Sequence, residues 1–156
     1  MPANTAPIFP LTPNSGVMNC ILSTAMTNTK AMDGTETAGT ALALAFTAGA
    51  NGARVDSVTV RYTATNGSTA TGTSAATVIR LFLNNGSANT TATNNKRLGE
   101  IFIPAQAVVA LATGILPEYE LSLDIAIPAG YKIFAGSTVA AGGVLAFLID
   151  MSGGDY

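Results

Sequence analysis

The sequence predicts an all-β fold: a single-domain antiparallel β-sandwich, jelly-roll-like, of about eight strands, with an extended Pro-rich N-terminal arm. Three observations predict it. Apolar residues recur with a period of two, turn-forming pairs such as Asn51-Gly52 and Asn85-Gly86 separate the alternating stretches, and prolines crowd the first residues. A chain of 156 residues fits one domain. We therefore assign residues 1–15 to the arm and residues 16–156 to the β-sandwich domain.

The arm, MPANTAPIFPLTPN, combines prolines with apolar side chains. Proline fixes φ and removes a backbone donor, so this stretch favours an extended polyproline II conformation over a helix or an inner strand. A segment that is already extended loses less entropy on docking than a flexible one. We predict that the arm docks on a neighbouring subunit, the alternative being a disordered tail. The predicted docking residues are Pro7, Ile8, Phe9, Pro10 and Leu11.

The strands are predicted from alternation along the rest of the chain. In TALALAFT, residues 40–47, the pattern puts Leu42, Leu44 and Phe46 on one face. YELSLDIAI, residues 119–127, alternates in the same way. The other predicted strands are residues 17–26, 53–63, 77–83, 97–103, 130–135 and 138–149. Residues 105–113 fit a helix or a strand, and both readings stay open.

The predicted strand TVIRLFLN is apolar on both faces. One face carries Ile79, Leu81 and Leu83, and the other carries Val78, Arg80 and Phe82. A strand that is hydrophobic on both sides is covered on both sides. The core covers one face; the protein's own loops or another subunit must cover the other. We predict a subunit interface at Val78, Arg80 and Phe82, with cover by the chain's own loops as the alternative.

The composition indicates a protein that works in an assembly. Charged residues make up 10% of the chain and the net charge is −2, whereas about 25% charged residues is usual for a soluble domain. A surface of Thr, Ser, Asn, Gly and Ala is easily dehydrated, because few ions lose their water when it is buried. The seven basic residues form no cluster, which argues against nucleic-acid binding. No apolar run approaches the roughly 20 residues of a membrane span.

The residue types needed for most catalysis are missing. The chain has no histidine, and Cys20 is its single cysteine, which removes Ser-His-Asp and Cys-His arrangements and the common metal sites. Glu118, Glu120 and Asp124 are predicted to share a strand face, and paired carboxylates can hydrolyse sugars. The chain has no tryptophan to hold a sugar. We predict no enzyme activity, no catalytic or metal-binding residues and no cofactor, and we keep a hydrolase as a minor alternative.

Two long stretches rich in Thr, Asn, Ser and Gly, residues 64–76 and 84–97, are predicted to be loops. Loops longer than about 12 residues are uncommon in compact domains unless they bind something or stay mobile. These loops could contact a neighbour or lie on an outer surface.

Four segments, FTAGANGARVDSVTVR, TVIRLFLNNGS, IPAGYKIFAGST and the closing GGDY, resemble a group of small virion proteins of tailed bacteriophages. The resemblance covers roughly residues 40–156 and rests on strands and turns, not on a site. It implies an accessory capsid protein of the decoration or cement kind, which sits on the outside of the shell as an oligomer, often a trimer. Such proteins clamp neighbouring capsid subunits, so the implied partners are the major capsid protein and other copies of this chain.

We therefore expect a non-enzymatic virion structural protein on the capsid exterior that stabilises the shell. The first residues lack the basic region of a secretory signal, so we expect synthesis in the host cytoplasm without a signal peptide. The alternative is a receptor- or carbohydrate-binding domain of a phage tail or fibre protein, with the two long loops as its recognition tip.

Overall fold

The structure, a computed structural model, describes residues 10–13, 18–27, 29–36, 41–64, 72–108, 116–142 and 145–156. Over these residues the protein is all-β with antiparallel strand pairing, as the sequence predicts. The helical elements within these ranges are two short 3-10 turns, Lys30–Met32 and Ala92–Asn94.

The described residues contain eleven strands, of which eight correspond to the predicted segments and three are short additions. The eight are β2 (Asn19–Leu22), β3 (Leu42–Thr47), β4 (Ala53–Ala64), β6 (Thr77–Asn84), β7 (Asn95–Ile103), β9 (Tyr119–Ile127), β10 (Lys132–Ser137) and β11 (Leu145–Asp155). The additions are β1 (Thr12–Pro13), β5 (Gly72–Ser74) and β8 (Gln106–Val108). Of the segment left open between helix and strand, residues 106–108 are therefore strand, and residues 109–113 lie outside the described ranges.

The strands form two main sheets. One has the order β2-β11-β4-β9 and the other has the order β3-β10-β6-β7. In the first sheet, β1 pairs with the same edge of β11 as β2 does, but nearer the end of β11. A third, two-stranded sheet joins β5 to β8. This arrangement is compatible with a β-sandwich, and we call the two large sheets the β11 sheet and the β10 sheet.

The main apolar core lies between the two large sheets. Val58 and Phe147 of the β11 sheet and Ile79 and Ile133 of the β10 sheet belong to one buried cluster. The Tyr62 ring packs on Phe147 with the ring centroids 5.2 Å apart. The apolar residues that alternate in the sequence thus point from the two facing sheets into the core between them.

A register shift in β3 overturns one predicted face. Leu44 pairs with Phe134 and Phe46 pairs with Ile133, so Ala45 is an extra residue on β3. The bulge turns Phe46 into the core while Leu44 stays outside, 44% exposed. The prediction that these two residues share a face was therefore wrong.

The last strand lies later in the chain than predicted, Leu145–Asp155 in place of residues 138–149. Thr138 instead lies in a loop. Its side-chain hydroxyl accepts a hydrogen bond from the Val78 backbone N–H at 3.0 Å. The strand continues through Gly153, where the register shifts and φ is +151°. A Cβ at Gly153 would collide with the Arg54 carbonyl oxygen, which explains why glycine is suited to this position.

Both ends of the described chain lie at the same end of the sandwich. Thr12 pairs with Asp155, Asp155 with Ala53, and Ala53 with Ile127, which forms one row across the β11 sheet. The turns at residues 48–52 and 128–131 and the loop at residues 85–94 follow strands at this end. We call it the arm end.

Candidate interaction surfaces

The described part of the predicted arm is an edge strand. The Leu11 backbone N–H donates to the Asp155 carbonyl at 2.9 Å, and Pro13 pairs with Gly154. The Leu11 side chain is 80% exposed. Of the predicted docking residues, Pro10 and Leu11 are thus placed at the arm end, while Pro7, Ile8 and Phe9 lie outside the described residues. Docking of the arm stays a prediction.

The structure buries Phe82, on the predicted second face of β6, under the chain's own residues. Its side chain is 1% exposed and belongs to a small cluster with Met26, Ala31 and Phe134, separate from the main core. A Cβ at Gly34 would lie 2.8 Å from the Phe82 ring, so glycine lets the backbone lie directly on the aromatic face. Intrachain cover, the alternative kept above, accounts for the burial of Phe82.

Residues 29–36, which we call the covering segment, lie over this face. Arg80 fixes the segment by donating from Nη1 to the Ala31 carbonyl at 3.0 Å, and its Nε lies 2.8 Å from Glu100 Oε1. The Glu36 carboxylate accepts a hydrogen bond from the Thr27 backbone N–H at 2.7 Å. That hydrogen bond lowers the pKa of Glu36 below its usual value.

Asparagines of the loop at residues 84–97 hold the covering segment from the other side. Asn95 Nδ2 donates to the Gly34 carbonyl at 3.3 Å and to the Asn89 carbonyl at 2.7 Å, and Asn89 Nδ2 donates to the Glu36 carbonyl. Asn84 Nδ2 donates to Asn95 Oδ1 at 2.9 Å. Sequence reasoning did not assign these asparagines a role; their density in NNGSANTTATNN was the available signal.

The remaining predicted interface residues lie at the other end of the same face. Val78 is half-buried and pairs across the sheet with Phe102, which is 63% exposed. Arg80, two residues further along, is neutralised by Glu100. The structure thus brings Val78 and Arg80 together beside an exposed phenylalanine, and an interface there stays a prediction.

Two arginines of β4 organise the charges on the outer face of the β11 sheet. Arg54 Nη2 lies 3.1 Å from Asp124 Oδ1. Arg61 lies 3.0 Å from Glu118 Oε1 and 2.7 Å from Asp150 Oδ2. Two of the three carboxylates considered for acid/base chemistry are therefore paired with arginines on an exposed strand face, and the third is exposed.

The single thiol is buried. Cys20 on β2 is 8% exposed, and desolvation, aided by the charge of Asp150, raises its pKa to about 12. A thiol with such a pKa stays protonated at neutral pH and is a poor nucleophile. Within the described ranges, no group of three or more potential ligand side chains could hold a metal ion. In the same ranges, no helix has the length and apolar character to cross a membrane.

Comparisons of the chain with protein-family models, with curated proteins and with solved structures found no match.

Proposed function

We propose that the protein is a non-enzymatic virion structural protein that decorates the outside of a phage capsid and stabilises the shell. The observation that carries this proposal is the scarcity of charge, 10% of the chain, together with the pairing of its arginines. All four arginines of the chain, Arg54, Arg61, Arg80 and Arg97, lie in ion pairs with acidic side chains. Because paired charges are already partly neutralised, burying such a surface against other subunits loses less hydration than burying free ions.

The order of the strands supports the finer fold assignment that we propose, a jelly roll. If the short additions are left aside, the eight main strands read 2-11-4-9 in one sheet and 3-10-6-7 in the other. Eight antiparallel strands wound between two facing sheets in this way make two Greek keys. Viral capsid domains are among the proteins that use this architecture, which agrees with the resemblance to virion proteins noted above.

The proposed partners are the major capsid protein and further copies of this chain, with a trimer as the favoured oligomer. The arm would bury Ile8, Phe9 and Leu11 on a neighbour. At about 25 cal/mol per Å², three such side chains contribute a few kcal/mol per arm. One arm is weak, but several arms on one oligomer bind tightly through their high effective concentration. The proposed location is the capsid exterior, after synthesis in the host cytoplasm.

Deletion of residues 2–9 tests the proposal. This truncation spares Leu11 and β1, whose pairing with β11 belongs to the fold. We expect a folded protein whose co-sedimentation with purified shells of the parent virus falls by at least about tenfold, since the apolar area of Ile8 and Phe9 is lost. A truncated protein that decorates shells as well as the full chain would contradict the role of the arm. A full chain that never binds shells would overturn the function.

A receptor- or carbohydrate-binding domain of a tail or fibre protein is the second candidate. The two long loops do not share one tip, because residues 85–94 lie at the arm end while residues 72–76 lie at the opposite end. The observation that favours this candidate is the small β5–β8 sheet at that opposite end. Thr73 and Ala107 are exposed on this sheet. Tyr62 beneath it is 4% exposed and bonded to Ser74, so it offers no stacking platform for a sugar. Binding of the purified protein to a glycan array, without binding to shells, would favour this candidate.

A further inference from the structure

The two flanks of the sandwich differ in charge. On one flank the edge strands are β7, which carries Lys96, Arg97 and Glu100, and β9, which carries Glu120 and Asp124. On the other flank the edge strands β1, β2 and β3 contain no charged residue. We call these the charged flank and the uncharged flank. Charges on an edge strand oppose the addition of a further strand, so the charged flank is protected and the other is not.

The uncharged flank also exposes large apolar side chains. Ile21 on β2 is 53% exposed and Leu44 on β3 is 44% exposed. Among the described strands, β3 pairs with β10 alone, so no described strand is hydrogen-bonded to its second edge. An uncharged edge with apolar side chains is the surface that an extended segment recognises by strand addition.

The arm has the properties of such a segment. Its described part already adds to a sheet edge on this same flank, since Leu11 donates to the Asp155 carbonyl and β1 pairs with β11. The first charged side chain of the chain is Lys30, so the arm brings no charged side chain to an uncharged edge. Ile8 and Phe9 supply apolar side chains, and residues 3–6 supply backbone donors between prolines. Prolines are tolerated in an added strand because one of its edges faces solvent.

The direction of β1 favours a partner other than the chain's own β3. From Pro13 back to Leu11 the chain runs past Asp155 and off the arm end. Contact with its own β3 would need a reversal at once, beside Pro7 and Pro10. Residues 1–9 span about 28 Å at about 3.1 Å per residue, more than the roughly 20 Å of a six-residue strand such as β3. The arm is thus long enough to cover β3 of a second copy.

We propose that the uncharged flank binds the N-terminal arm of a second copy of this chain by strand addition along β3, with Ile8 packing beside Leu44. The inference names the surface for the homo-oligomer part of the proposed function, and it does not require a shell.

Lysine substitutions at matched positions test the surface. Leu44→Lys places a charge on the uncharged flank, while Ser122→Lys places the same charge at an exposed position of β9 on the charged flank. We expect Leu44→Lys to weaken self-association of the full chain by about tenfold or more, because an edge charge opposes strand addition, and Ser122→Lys to leave it unchanged. Sedimentation equilibrium measures the self-association constant of each variant, and circular dichroism shows whether each variant folds.

Ile21→Lys is the second variant on the uncharged flank if Leu44→Lys fails to fold. Equal effects of the substitutions on the two flanks, or a full chain that is monomeric at every concentration, would overturn the proposal.

Crosslinking separates exchange between copies from folding back within one chain. In a Cys20→Ala background, Ile8→Cys chains are mixed with Leu44→Cys chains and treated with a short bis-maleimide. We expect a crosslinked dimer that contains one chain of each kind. A crosslink that forms only within a chain carrying both cysteines would overturn the proposal.

The failures of this inference and of the proposed function are distinguishable. Self-association that is sensitive to Leu44→Lys, without shell binding, supports the inference and rejects the capsid role. Shell binding that is lost on deletion of residues 2–9, with self-association unchanged, supports the capsid role and rejects the inference.

Discussion

At the scale of single residues, Asp124 connects backbone conformation with charge. Its φ of +49° lies in the left-handed region, and it is the one non-glycine residue with positive φ among those described. The register of β4 against β9 shifts at this point, so Asp124 lies in an irregularity of the edge strand. Aspartate tolerates this conformation better than most residues, and Arg54 donates a hydrogen bond to its carboxylate at 3.1 Å. The backbone conformation at position 124 thus explains why an aspartate, considered above as a candidate catalyst, suits this position.

Asp124→Val should destabilise the protein by about 1–2 kcal/mol, because a β-branched residue is strained at positive φ. The lost ion pair with Arg54 is solvent-exposed, so its loss adds little to this effect. Urea denaturation measures the free energy of unfolding. Glu120→Val, on the same exposed strand face without this backbone conformation, is the control and should change it by less than about 0.5 kcal/mol. Equal losses in the two variants would show that φ at position 124 does not matter.

At the scale of elements, the loop at residues 84–97 acts as a clamp on the covering segment. Its Thr, Asn and Ser content predicts a loop, and the structure places one there, with β7 starting at Asn95. The sequence could not predict its role, because the hydrogen bonds of Asn89 and Asn95 reach carbonyls of residues 34 and 36, more than 50 positions away. The same limit applies to Phe82, whose cover comes from a distant segment of the chain.

The attachment of the covering segment should depend on pH through Glu36. Its pKa is lowered in the folded protein, first of all by the hydrogen bond from the Thr27 N–H. This stabilisation is therefore complete above the ordinary glutamate pKa of about 4.3 and is lost as the pH falls through the lower folded-state pKa. We expect the unfolding temperature of Glu36→Gln to fall less than that of the wild type between neutral pH and pH 3. Thermal unfolding across this pH range measures both.

Glu120→Gln, at an exposed position away from the covering segment, is the control for this pH series and should follow the wild type. If Glu36→Gln also follows the wild-type pH dependence, the Thr27 contact is not what holds the segment.

The strands show which parts of an element the sequence specifies. The period-two pattern located β9 at residues 119–127, because its apolar residues alternate regularly. It also located the start of β4 at Ala53, although the register of β4 shifts after Val55. It wrongly put Phe46 on the same face as Leu44, because a one-residue bulge in β3 reverses the alternation between them. The bulge depends on the register of β3 with β10 and is not visible in the sequence of β3 alone. It placed the last strand too early, because Gly153 is suited to a close approach to Arg54 that only the paired strands reveal.

At the scale of the whole molecule, the sequence predicts the all-β class but not the neighbours of each strand. The absence of charge in NCIL and LALAFT can be read directly from the chain, as can the charges in NKRLGEIFI. That the first two lie on one flank and the third on the other follows from the order of the strands in the sheets. The uncharged flank therefore could not be proposed before the topology was known.

The placement of β1 has a mechanical consequence. β1 and β2 run in the same direction along one edge of β11, and the chain leaves β1 at the arm end, parallel to that edge. A pull on the arm therefore slides β1 along β11 instead of peeling it away. In sliding, neighbouring hydrogen bonds share the force and must yield together, whereas in peeling they break one after another. A tether attached through the arm would therefore load the contact between β1 and the end of β11 in shear.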